Sequence, residues 1–152
     1  MGKPAGQRAP ALVVRDAATA AATLRLASGR PVLLLSAEGA AAWLGAAGWR
    51  ALIARAAAEC PAVPMQDALC CAASPGLALV ALRAGCRTLV LDGNHRAFPA
   101  VDAAAREVGA TLLPARPAAF DLATVDLRRP AGLARLAAWL AAHPHDSGLA
   151  KG

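Results

Sequence analysis

The sequence predicts a single α/β domain: a three-layer α/β/α sandwich around a mostly parallel sheet of four or five strands. Three observations predict it. Short oily runs such as Val32–Leu35 and Thr88–Leu91 lack the apolar/polar alternation of a sheet with one face in water, so they read as strands covered on both sides. Alanine-rich segments with apolar residues at helical spacing lie between them, which makes each connection a helical crossover. Glycine closes several of these segments, at Gly29, Gly85 and Gly109, where a helix end favours left-handed backbone. A chain of 152 residues can bury one core without staples. The reading gives a tail over 1–10, a domain over 11–143 and a second tail over 144–152. Flavodoxin-like and Rossmann-like strand orders both fit, and half of a (β/α)8 barrel would need a partner to close it.

In chain order, Leu12–Arg15 is the first strand, and Asp16 caps a helix over 17–28. Val32–Leu35 is the most hydrophobic strand, hence central. Residues 39–59 form the next helix, which Gly45 and Gly48 can divide; Cys60-Pro61 ends it. A link over 62–67 leads to a strand at Ala68–Cys71. Ser74 then caps a helix that opens on Pro75 and ends at Gly85. Thr88–Leu91 is the fourth strand, 98–108 a helix and Thr111–Leu113 the fifth strand. Pro114 and Pro117 impose an irregular link past Phe120 and Asp121, and a last helix covers 130–142.

Composition narrows the function classes. Hydrophobic residues make up 57% and aromatics 3%, so the apolar count is largely alanine and signals close helix packing. The most membrane-like window, 31–49, contains Ser36, Glu38 and three glycines, and it opens as a strand; no membrane span is expected. The start of the chain lacks the form of a signal peptide, which makes a cytoplasmic location the expectation. Cys60, Cys70, Cys71 and Cys86 form no Cys-x-x-Cys pair, so they read as small core residues and no metal site is expected. The formal charge is +6, yet the arginines are dispersed and tyrosine is absent, which argues against nucleic acid.

In a parallel α/β domain, ligand chemistry gathers beyond the carboxyl ends of the strands. The turns there are Arg15-Asp16, Ser36–Gly39, Ala73–Gly76, Asp92–Arg96 and Pro114–Pro117. Asp92–Arg96 is the richest. There His95 can act as an acid or base, Asp92 can orient it and Arg96 can clamp an anion. Glu38 follows the central strand and supplies a second carboxylate. Ser74 and Gly76 open a helix whose backbone N–H groups can face phosphate. The candidate catalytic residues are thus Glu38, Asp92 and His95, and the candidate binding residues Ser74, Gly76 and Arg96. Each has a plainer role as well: Asp92 or Asn94 can cap a helix, Ser74 can do only that, and Glu38 can face a helix dipole.

No Gly-x-Gly-x-x-Gly, Gly-Lys-Ser/Thr or Gly-x-Ser-x-Gly occurs. The only lysines are Lys3 and Lys151, so the sequence names no cofactor and no Schiff base. Two functions remain. One is a non-catalytic association or regulatory module, a homo-oligomer through the helix carrying Trp43 and Trp49 or the one carrying Trp139. The other is binding or conversion of a small phosphate- or carboxylate-bearing metabolite at the carboxyl edge of the sheet.

Overall fold

The computed structural model describes residues 9–143; most of the expected tails lie outside that range. The order is β1 (Ala11–Val14), α1 (Ala17–Ala27), β2 (Val32–Ser36), α2 (Ala40–Trp43), α3 (Gly45–Glu59), β3 (Met65–Cys70), α4 (Pro75–Arg83), β4 (Thr88–Val90), α5 (Phe98–Glu107), β5 (Thr111–Leu113), β6 (Ala119–Asp121), a 3-10 turn (Leu122–Thr124) and α6 (Pro130–Ala142). The caps work as the sequence implies. Asp16 accepts from the Thr19 N–H at 2.7 Å, and Ser74 caps α4 ahead of Pro75. Gly45, at φ +77, opens α3 after one intervening residue beyond the end of α2.

All strand pairs are parallel, in the order β5-β4-β3-β2-β1-β6. The expected class, one α/β domain on a parallel sheet, is therefore present, with differences of detail. The sheet has six strands rather than four or five, because the link past Phe120 pairs with β1 through Leu12 and Phe120. The order is neither flavodoxin-like nor Rossmann-like, since β1 to β5 follow one another in a single direction.

That direction decides where the helices lie. Right-handed crossovers that always step the same way place their helices on one face. Accordingly the buried apolar side chains of α1 to α6 all join one cluster with Leu12, Leu34, Leu69 and Leu89. The opposite face holds a second cluster of strand residues, Ala11, Val13, Leu33, Leu35, Ala68, Cys70, Val90 and Leu113. Curvature covers this face. In a flat sheet five steps of about 4.8 Å would separate β5 from β6 by roughly 24 Å. Six residue steps reach at most about 22 Å and must also run back along the strand direction. The sheet has to curl toward its helix-free face, bringing its two edges closer together.

Of the tryptophans named as interface candidates, Trp49 is wholly buried, Trp139 is half-buried and Trp43 is 61% exposed. No described helix is long and apolar enough to cross a membrane. All four cysteines are free and buried.

The Trp49 indole N–H donates to Asp67 Oδ2 at 2.8 Å. Burial lifts the Asp67 carboxyl above its usual range, against the opposing pull of the Trp49 hydrogen bond and Arg50. A raised folded pKa makes the contribution of Asp67 complete at low pH, and it is lost as pH climbs through the raised value. Asp67→Asn, which keeps an acceptor for the indole, is expected to remove that loss. Its urea midpoint relative to the parent should rise as the pH climbs from about 4, the ordinary carboxylate value, through the raised one. A lower midpoint than the parent at neutral pH would show that the ionised carboxylate stabilises the fold.

Candidate functional site

Four strand ends build a cleft of about 460 Å³, lined by Glu38, Cys70, Ala72, Ala73, Val90, Asp92, Asn94, Pro114, Ala115 and Arg116. This size falls in the range of small-molecule sites. The floor is apolar, with Cys70 and Val90 both buried. The charged residues stand at the rim.

The loops that carry the rim are tied side by side. The Asp92 N–H donates to the Ala72 carbonyl at 2.8 Å, and the Gly93 N–H to the Pro114 carbonyl at 2.9 Å. Gly93 is required by that approach, since a Cβ there would lie 2.6 Å from Pro114 Cβ and 3.2 Å from Pro114 O. Asp92 Oδ1 accepts from the Asn94 N–H at 2.9 Å, which fixes the turn and leaves Oδ2 outside it. None of the ion pairs among the described residues involves Glu38 or Asp92.

Arg116 comes from the link between β5 and β6, yet its Nη2 donates to the carbonyl of Ser36, at the end of β2, at 3.0 Å. Ser36 is itself wholly buried, and its hydroxyl accepts from the Cys70 N–H at 2.8 Å, replacing a backbone acceptor where the β2–β3 ladder ends. The curl of the sheet makes this reach possible. Nη1 of Arg116 is buried without a protein partner. Beyond it, Arg15 grips Asp121 with both terminal nitrogens. That hydrogen bond, more than any other influence, holds the Asp121 carboxyl below its usual range, and the charge of Arg116 adds to the effect.

The structure thus brings Glu38 and Asp92 to one cleft and leaves the other candidates out of its lining. His95 Nδ1 accepts from the Ala97 N–H at 3.1 Å, so its ring shapes the turn into α5. Ser74 Oγ accepts from the Leu77 N–H at 3.5 Å, and Gly76 and Arg96 are exposed away from the lining. Asn94 and Arg116 were not among the chosen candidates, although the strand-end rule reaches both of their turns. Burial pushes the Cys71 thiol up to about 12, with Cys70 and Cys86 adding to the shift. No group of three or more metal-ligating side chains gathers among the described residues.

Ala72 lines the cleft at φ +49, backbone that costs a non-glycine residue about 1–2 kcal/mol. Ala72→Gly is expected to raise stability by about 0.5–1 kcal/mol once the extra chain entropy of glycine is subtracted. Denaturant midpoints check this. A fall in stability would mean that the Ala72 methyl contributes more packing than its backbone loses.

Comparison with known proteins adds no relative: no protein-family model matches the chain, and no curated protein matches it significantly.

Proposed function

We propose that the chain binds a small molecule bearing a carboxylate or phosphate in the strand-end cleft, with Arg116 as the anion-holding group. The observation that supports this is the guanidinium itself. One nitrogen is anchored on the Ser36 carbonyl while the other is buried with no acceptor, an arrangement that normally costs about 1–3 kcal/mol or more. Arg116 lines the cleft, so a small shift of the guanidinium would bring this nitrogen to an anionic oxygen there. Glu38 and Asp92 stand on the same rim, where carboxylates can orient a ligand or exchange protons with it.

The test is ligand-induced stabilisation of the full chain by phosphate, acetate and malonate, measured as a thermal shift, in the parent and in Arg116→Ala. Saturation at a hundredfold excess over Kd is worth about 2.7 kcal/mol. The parent should be stabilised and the variant at least tenfold less responsive. Arg116→Lys, which keeps the charge but not the fork, should fall between them. An equal response of parent and Arg116→Ala, or no response of the parent to any of the three anions or to glycine, which carries the same carboxylate, would overturn the reading.

A second reading, association with another copy, is supported by Trp43 on α2 and Val80 on α4, which are 61% and 53% exposed. A parent that sediments as a monomer at high concentration would remove it.

A further inference from the structure

We infer that the ligand of this cleft carries an ammonium group as well as an acid group, so that its class is the small amino acids and ω-amino acids. This rests on the cleft being a ligand site with Arg116 as its anion holder. The ionisable residues that line it are Glu38, Asp92 and Arg116, two negative charges against one positive. Arg15 and Asp121, the latter close enough to feel the charge of Arg116, are paired with each other and leave this balance unchanged. A ligand that were only an anion would meet Arg116 favourably and both carboxylates unfavourably.

A ligand with an acid at one end and an ammonium at the other matches all three groups. The acid meets the guanidinium of Arg116, the cation in the lining. The ammonium, with three donors and no acceptor, meets Glu38 and the Asp92 oxygen that the Asn94 turn does not use. The apolar floor of Cys70 and Val90 suits the methylenes between the two ends. A phosphate monoester satisfies this set poorly, since its second negative charge has no cation of its own in the lining.

Isothermal titration of the full chain separates the possibilities. The probes are acetate, inorganic phosphate, ethylamine, glycine, 4-aminobutyrate and 6-aminohexanoate. At least one amino acid is expected to bind about tenfold or more tightly than acetate, phosphate or ethylamine. Glu38→Gln and Asp92→Asn, both at exposed positions, should each cut that affinity about tenfold, as for the loss of a charge-assisted hydrogen bond. The same two variants should bind acetate more tightly than the parent does. Acetate or phosphate binding the parent as tightly as every amino acid, with the variants unchanged, would overturn the ammonium assignment and leave the anion site standing. If no probe binds the parent, both readings fall.

Discussion

Trp49→Ala is expected to destabilise the protein by about 3–5 kcal/mol, the usual cost of emptying a buried aromatic site. The side chain is wholly buried in α3 against the helix-covered face of the sheet. Its N–H is the hydrogen-bond partner of the half-buried Asp67. Truncation removes both packing and the hydrogen bond, so it hollows the core and leaves a carboxyl without its donor. Domains of this size commonly hold only about 5–15 kcal/mol in total, so the variant should unfold at a much lower urea concentration. Trp49→Phe keeps most of the ring and loses mainly the hydrogen bond, at about 1–3 kcal/mol. A loss below about 1 kcal/mol for Trp49→Ala would mean that this indole is not seated in the core.

Gly132→Ala is expected to cost about 1–3 kcal/mol, against the direction that helix propensity alone gives. Alanine in place of glycine inside a helix ordinarily gains about 1 kcal/mol. Gly132, in the first turn of α6, faces the Asp126 backbone, and a Cβ built there runs into the Asp126 carbonyl, with the carbonyl carbon 2.8 Å away. Backbone cannot rotate aside as a side chain can. The matching change at Gly76, in α4, meets nothing within 4 Å and should stabilise by up to about 1 kcal/mol. Chemical denaturation of the two variants side by side checks the pair. If Gly132→Ala stabilises as Gly76→Ala does, the close approach of α6 to the 126 loop is absent in solution.

The parts of the fold that announced themselves in the sequence are those set by local chemistry. Asp16, Ser74 and Pro130 mark helix starts because caps and first-turn prolines act within three residues. Gly45 marked the break between α2 and α3 for the same reason. The apolar spacing of α6 predicts that Leu133, Leu136, Ala137 and Leu140 face the sheet; Leu136 and Leu140 are buried, whereas Leu133 is 37% exposed and Ala137 is exposed. β6 was not legible, since Ala-Phe-Asp between a proline-bound link and a 3-10 turn becomes a strand only because the edge of β1 is there to pair with it. β3 begins at Met65, ahead of the expected Ala68, because Gln66 and Asp67 pair with Leu33 and Leu34 despite their polarity.

The site divides along the same line. Glu38 and Asp92 share the cleft lining because each follows a strand closely, and strand ends converge in any parallel sheet. His95 stands outside the lining because its ring folds back onto the Ala97 N–H, a local bond that the richness of the turn concealed. Arg116 was passed over because its role depends on strand order. Only when the link from β5 crosses the ends of the intervening strands does its guanidinium reach β2.

The pairing of β1 with β6 joins Ala11 to Ala119, so the sheet is finished by residues from nearly opposite ends of the described chain. A contact so distant in sequence pays its loop-closure entropy in one step and tends to form late. Until it does, a nascent or refolding molecule presents an unzipped parallel edge at β1 and an uncurled oily face behind it. Ribosome-bound chains released before residue 121 would be caught in that state, where an open edge invites pairing with another molecule.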